Sequence, residues 1–261
     1  MRPSRHPHLQ QIAEALACLL VAFLLGGCGG PAPQPLTIAA AASLAPVFDG
    51  LAPELERQLG APVAFSYGST ANLAEQIRNG APFDVLAAAD AEHIDQLIAE
   101  GLLDQASRTE FAHGRLVLAW PADSTLQLHS LEDLLDPAVG NVALANPEFA
   151  PYGRAARQAL ERSSLWTELQ PRLIYSENIR DAGQLVVSGN ADAGLLAATT
   201  ALSLDLPSLE IPAQLFDPIE HVAAARTQGG NHQAALEFLD FLHTAQFAAA
   251  LESFGLSPLD G

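Results

Sequence analysis

Leu36-Thr37-Ile38-Ala39-Ala40-Ala41-Ala42-Ser43-Leu44 is a short apolar run that ends in a small polar turn and gives way to a helical pattern. The same alternation continues through the rest of the 261-residue chain. Apolar runs of strand length predict strands at Leu36–Ala40, Pro62–Tyr67, Asp84–Ala88, Arg115–Ala119, Asn141–Ala145 and Arg172–Tyr175. Helix-period stretches fall at Leu44–Gln58, Ala71–Asn79, Ala91–Glu100, Leu131–Leu135, Arg154–Ser163, Asp181–Ser188 and Asn231–Ser253. Strands alternating with helices predict an α/β protein with mainly parallel sheets, because parallel neighbours need a crossover helix between them. Arg115–Pro121 reads as a strand leaving one lobe and His221–Ala225 as a weaker candidate for the return. The expected division is residues 36–119 for the first part of lobe 1, 120–221 for lobe 2 and 222–261 for the return to lobe 1. A ligand would then sit between the lobes, near the carboxyl ends of the strands.

The N-terminus reads as a targeting signal. Arg2 and Arg5 precede an apolar run from Ala15 to Leu25, which is too short for a membrane-spanning helix but suits a signal-peptide core. Residues 1–27 are read as that signal. Leu25-Gly26-Gly27-Cys28 resembles the bacterial lipobox, which implies lipid attachment at Cys28 and an exported, periplasmic, membrane-anchored protein. Residues 28–35, rich in glycine and proline, form a tether. Cys18, the one other cysteine, falls in the segment to be removed, leaving no internal disulfide.

Formal net charge is −18 and the chain contains no lysine. Such a chain repels nucleic-acid phosphates, so nucleic acid is not an expected partner. An anionic ligand looks equally unfavourable until the turns are read. Strand-to-helix junctions recur at Ser43, at Gly68-Ser69-Thr70-Ala71-Asn72, at Asn146 to Arg154, and at Ser176-Glu177-Asn178-Ile179-Arg180. Each offers unpaired backbone N–H groups at the positive end of a helix dipole. Several together make an anion site without lysine or arginine, and serine and threonine hydroxyls add adjustable donors. A cage of neutral donors favours a dianion that carries no proton. Taken singly, each serine or threonine is an ordinary helix cap, and Ser43 is well placed as one.

Ala40-Ala41-Ala42-Ser43-Leu44, Gly68-Ser69-Thr70-Ala71-Asn72-Leu73-Ala74-Glu75-Gln76-Ile77 and Gly80-Ala81-Pro82-Phe83-Asp84-Val85-Leu86-Ala87-Ala88-Ala89-Asp90 resemble motifs of the periplasmic molybdate-binding family of ABC transporters. The likeness extends to Asn146-Pro147, Ala150-Pro151-Tyr152-Gly153-Arg154 and Glu177-Asn178-Ile179-Arg180, in order, over the whole chain after the tether. It implies a two-lobed type II periplasmic binding fold that holds molybdate, or tungstate, and delivers it to the membrane permease of an ABC importer. By the same likeness Ser43 and Thr70, with Ser69 beside it, supply hydroxyls, and Tyr152 and Ile179 supply backbone donors. Some family members place a tyrosine where Ala197 stands here; Tyr152 is the candidate to replace its phenol. A monomer without a cofactor is implied. Sulfate or phosphate is the alternative ligand within the same fold.

Other residues have plainer readings. His93, His113, His129, His221, His232 and His243 show no metal-binding spacing. A catalytic role for Ser43 or Ser69 would need a histidine base and an orienting carboxylate, and no Gly-x-Ser-x-Gly elbow is present. Arg180 is expected to pair with a neighbouring carboxylate, Asp84 and Asp90 to cap or close sheet ends, and Tyr67 to be core. Phe238, Phe241, Phe247 and Phe254 are expected to form a helix face on the core.

Overall fold

The computed structural model describes residues 34–228 and 230–259. The expected signal segment, Cys28 and the tether up to residue 33 lie outside the described residues. In chain order the strands are β1 (Leu36–Ala41), β2 (Val63–Gly68), β3 (Val85–Ala88), β4 (Thr109–Gly114), β5 (Leu116–Ala119), β6 (Val142–Ala145), β7 (Leu173–Ser176), β8 (Ala193–Ala197), β9 (Ser208–Glu210), β10 (Ile219–Ala225) and β11 (Ser257–Pro258). The α-helices are α1 (Ala45–Leu59), α2 (Thr70–Arg78), α3 (Ala91–Ala99), α4 (Pro151–Arg162), α5 (Trp166–Leu169), α6 (Ile179–Val187), α7 (Ala198–Ser203), α8 (His232–Phe241) and α9 (Ala245–Ser253). No helix among the described residues is long and apolar enough to cross a membrane.

Two sheets result, one ordered β11-β4-β10-β3-β1-β2 and the other β7-β6-β8-β5-β9. This is the two-lobed α/β arrangement, but the sheets are mixed rather than mainly parallel. β1 pairs in parallel with β2 and β3, and β6 with β7 and β8. β10 runs antiparallel to β3 and β4, and β5 antiparallel to β8 and β9. Direction follows from where the chain enters. Strands followed by helices at the cleft end there, whereas β5 and β10 come in from the other lobe and start there.

The crossings also fall elsewhere than expected. β5 lies in the second sheet, so the chain changes sheets at Arg115 rather than after Ala119; β10 starts at Ile219 in the first sheet, ahead of the expected return at residue 222. Neither β4 nor the short edge strands β9 and β11 is legible as an apolar run. The single helix expected over Asn231–Ser253 is two, because Thr244 accepts a hydrogen bond from the Phe247 amide and starts α9 afresh. α4 starts three residues earlier than Arg154, with Pro151 at its first position, where a missing N–H costs nothing.

Small residues on the central strands let helices come close. Ala39, Ala40, Ala87, Ala88, Ala223 and Ala224 are fully buried. Larger side chains fill the flanks: Phe48 lies 5.3 Å from Phe65, 5.6 Å from Phe238 and 6.1 Å from Phe247, ring centre to centre, and Phe241 lies 5.6 Å from Phe247. The closest approach relevant to the cleft is at Gly153 in the first turn of α4. A Cβ there would overlap the Ala145 carbonyl oxygen and sit 2.9 Å from its carbon, and that backbone belongs to β6. Helix propensity favours Gly153→Ala by about 1 kcal/mol. Urea denaturation should instead show a loss on the order of 1–3 kcal/mol, the usual cost of overpacking against something rigid; a gain would mean that α4 can move away from β6.

Candidate functional site

Five junctions bring their chain ends to one small, partly open cavity. Ala41, Ala42 and Ser43 come from the end of β1, Gly68, Ser69 and Thr70 from the end of β2, and Ala89 from the end of β3. Ala150, Pro151 and Tyr152 reach it from the start of α4 and Ile179 from the start of α6. Ser43, Ser69, Thr70, Tyr152 and Ile179, the five residues singled out in the sequence, therefore line a common space. No charged side chain among the described residues does.

Ser43 is not the helix cap expected of it. It lies inside a 3-10 turn, Ala42–Leu44, and α1 has no side-chain cap at its N-terminus. Its Oγ lies 3.3 Å from His221 Nε2 instead. His221 is fully buried on β10, where the pairing with β4 shifts register between His221 and Val222. Phe111 and Tyr152 pack on the imidazole, with ring centres 6.0 and 6.2 Å away. Burial, reinforced by the charge His113 can carry, pushes the imidazole pKa down to about 3, so the ring is neutral at physiological pH.

Ser69 is the N-cap of α2 by position, yet its hydroxyl makes no cap hydrogen bond and has no partner while buried. Thr70 accepts a hydrogen bond from the Ala89 amide at 3.1 Å. That bond uses a lone pair and leaves the Thr70 proton free to be donated. The Tyr152 phenol is also buried and has no hydrogen-bond partner within 3.5 Å among the described residues, though the Ser43 hydroxyl is near enough to offset part of the burial effect on it; it rests on Gly114, where a Cβ would collide with it. Burial raises the phenol pKa well above its ordinary value, so it too stays protonated. Ala197 is fully buried at the end of β8 and does not line the cavity.

Backbone donors complete the set. Pro151 occupies the first position of α4 and Ala150 cannot cap it, so the amides of Tyr152 and Gly153 have no acceptor within the helix. At α6 a side-chain cap is present: Asn178 accepts from the amides of Arg180 and Asp181 at 3.0 and 3.1 Å. The Ile179 amide, one position earlier, is left over. Buried donors rarely lack acceptors, because each unpaired one costs on the order of 1–3 kcal/mol. A group of them around one neutral cavity is therefore suited to an acceptor-rich ligand, such as an oxyanion with no proton of its own.

Contacts between the lobes close over this space. The Ala71 amide donates to the Phe149 carbonyl at 3.2 Å, and Asn72 Nδ2 donates to Glu177 Oε1 at 3.2 Å. Asp90 caps α3 through the His93 amide, accepts from His93 Nδ1 at 2.9 Å, and pairs with Arg154 of α4. Burial by itself would raise the Asp90 pKa, but the His93 hydrogen bonds and the Arg154 charge outweigh it and hold the carboxyl below its usual range. Asp90 is thus more than the cap expected of it. Asp84 does close a sheet end, accepting from the Thr37 amide and hydroxyl at 2.8 Å each. Arg180, expected to find a carboxylate, has no ion pair within 4.0 Å among the described residues; it lines a neighbouring pocket with Asp49 and Gln184.

His221 and Gly114 are the residues that sequence reasoning did not place here. His221 came up only as the start of a return strand and as one of the histidines without metal-binding spacing, and nothing local marks it. Its 178-residue separation from Ser43 is bridged by the sheet alone. Ser43 and His221 are also spaced as the nucleophile and base of a triad. No orienting carboxylate meets His221 Nδ1 among the described residues, and an imidazole of such low basicity takes no proton near neutrality.

Residues 36–257 match the family described as bacterial extracellular solute-binding protein. The chain is 32% identical to the molybdate-binding protein of Azotobacter vinelandii, over 92% of this chain and 97% of that one. It is 25% identical, over 93% of this chain and 96% of the other, to a Bacillus subtilis protein provisionally named as an ABC transporter substrate-binding lipoprotein. Among solved structures, the periplasmic molybdate-binding protein of A. vinelandii superposes with a TM-score of 0.81 at 28% identity, covering 87% of this chain and all of that one.

Two measurements check this geometry. An unfolded histidine takes up a proton below its ordinary pKa of 6.5, whereas His221 stays neutral in the fold down to about 3. Its contribution to stability is complete above pH 6.5 and is lost as pH falls through that window, with a limiting slope of about 1.4 kcal/mol per pH unit. Urea midpoints between pH 7 and 4 should fall less steeply for His221→Gln than for the parent, and equal slopes would contradict a neutral buried ring. Arg154→Met should release ligand roughly 3–10 times faster with little change in capture, since the partly exposed pair holds lobes already brought together. An effect confined to capture would place Arg154 outside the closing contact.

Proposed function

The chain belongs to the bacterial extracellular solute-binding proteins, in their periplasmic molybdate-binding family, and we propose on that premise that it captures molybdate, or tungstate, for an ABC importer. The observation that carries the reading is the cavity itself. Five junctions from both lobes face one neutral space with the unpartnered Ser69 and Tyr152 hydroxyls and the leftover first-turn amides. In this reading Ser43, Ser69, Thr70 and the Tyr152 phenol donate to the anion's oxygens, joined by the Tyr152 and Ile179 amides. Tyr152 takes the place of the tyrosine that Ala197 lacks.

Function here involves no bond making. The open lobes admit the dianion and the donors replace its hydration shell. Asp90–Arg154 and the Ala71–Phe149 contact hold the closed form that a membrane permease meets. Size and charge state choose the ligand. Donors set for the longer bonds of molybdate leave stretched hydrogen bonds to sulfate, and these weaken steeply beyond about 3.2 Å. Hydrogen phosphate brings a proton for which the cavity offers no carboxylate. The reading includes export, with lipid attachment at Cys28 to keep the protein at the membrane, in keeping with the name of the B. subtilis relative. The protein acts as a monomer that meets its permease.

Thermal unfolding with molybdate, tungstate, sulfate, phosphate and nitrate tests the assignment. Ligand at a hundred times its Kd adds about 2.7 kcal/mol. That raises Tm by roughly 5–10 °C in a domain of this size. The shift is expected with molybdate and tungstate, and expected to vanish when Ser43 and Thr70 are both alanine. A larger shift with sulfate or phosphate would transfer the assignment to that anion, and none with any would remove the anion reading.

A further inference from the structure

Ser43 can face an anion in two ways, and the neighbouring imidazole decides between them. A hydroxyl has one proton and two lone pairs. If His221 Nε2 accepts, the Ser43 proton is spent on the histidine and lone pairs point at the cavity, where they repel an anionic oxygen. If Nε2 carries the hydrogen and donates to Ser43 Oγ, the serine proton turns away from the histidine, toward the cavity that Ser43 shares with the Tyr152 phenol, where a ligand can take it. Heavy-atom positions are the same in both cases, at 3.3 Å.

The other ring nitrogen distinguishes the two. His221 is fully buried and Nδ1 has no hydrogen-bond partner among the described residues. A proton on Nδ1 would leave an orphaned N–H in an apolar environment, while a proton on Nε2 leaves only a bare lone pair there. Buried orphan donors are the rarer of the two in folded proteins. Phe111 and Tyr152 enclose the ring, and neither presents Nδ1 with a hydrogen-bond acceptor.

We propose that His221 is a positioning and specificity-determining residue: its Nε2–H donates to Ser43 Oγ and so commits the Ser43 proton to the bound anion. This rests on the anion reading of the cavity. It adds that the histidine holds Ser43 as a pure donor, which admits fully deprotonated tetrahedral oxyanions and disfavours those that carry a proton. The long 3.3 Å separation fits a bond that tightens when the anion draws on the serine proton, since linked hydrogen bonds polarise one another.

The test pairs a four-protein cycle with ring NMR, using isothermal titration with sodium molybdate. His221→Leu is expected to weaken molybdate binding roughly 10–100-fold in the parent background and less than about 3-fold in a Ser43→Ala background. His221→Gln, which can donate from its side-chain amide, is expected to recover much of the loss. Discrimination between molybdate and phosphate should narrow in His221→Leu and not in His221→Gln. Equal losses with and without Ser43 would reduce His221 to a packing residue and overturn the proposal. Nitrogen-15 spectra of the imidazole in the ligand-free parent give a readout independent of any anion. A hydrogen on Nε2 is expected, and one on Nδ1 overturns the proposal even if molybdate binds. A parent that binds no molybdate but shows the Nε2 hydrogen would fail the anion reading and, with it, the specificity role.

Discussion

A buried hydrogen-bond donor that lacks an acceptor is costly, and the cleft of this protein is built from such donors. The Ser69 and Tyr152 hydroxyls are unpartnered, and the Ile179 and Tyr152 amides sit where a helix cannot use them. Each is there for a local reason. Helices begin with free amides, proline occupies the start of α4, and Asn178 satisfies its neighbours but not the residue directly after it. What matters is that all of them face the same space, so that one acceptor-rich ligand can satisfy them together. Closing the cleft without such a ligand would bury them unpaired. Closure and occupancy are thereby linked.

Charge acts at a different range from these donors. A net charge of −18 repels anions at a distance, and physiological salt screens that repulsion within about 8 Å. Inside the cleft no carboxylate among the described residues lines the cavity; Arg180 lies in a neighbouring pocket, and three other arginines are engaged elsewhere. Arg154 is held by Asp90, Arg172 donates to the Val139 and Leu134 carbonyls, and Arg226 donates to Ala81. Neutral, oriented donors suit a ligand that must be bound and then surrendered. Such donors can discriminate by geometry and proton count, where a lysine would attract any anion.

Strand direction explains how the site is assembled. Parallel strands β1, β2 and β3 deliver their helix-starting turns to one face, and β6 and β7 do the same from the other lobe. The strands that enter from across the cleft must run the other way. This antiparallel entry sets His221 on β10 behind Ser43 and places Gly114, just before the first crossing, beneath the Tyr152 phenol. The residues at the crossings thus support two side chains that line the site.

Much of this was legible in the chain itself. Apolar runs and helix periods located β1, β2, β3, β5, β6 and β7 to within a residue or two, because period and composition are local properties. The junctions carrying Ser43, Ser69, Thr70, Tyr152 and Ile179 were legible for the same reason: a small polar turn before a helix is written in a few adjacent residues. Pairing was not. Whether Ser43 and Ser69 cap their helices or turn away from them depends on what stands opposite, and for Ser43 that is a histidine 178 positions on. The crossing points, the mixed strand directions, the Asp90–Arg154 contact and the lack of an ion pair to Arg180 among the described residues are likewise properties of neighbours distant in sequence. The chain by itself determined which local elements form and which donors they leave over. Only the tertiary structure decided which of those donors meet, because burial and partner choice are set by the packing of one lobe against the other.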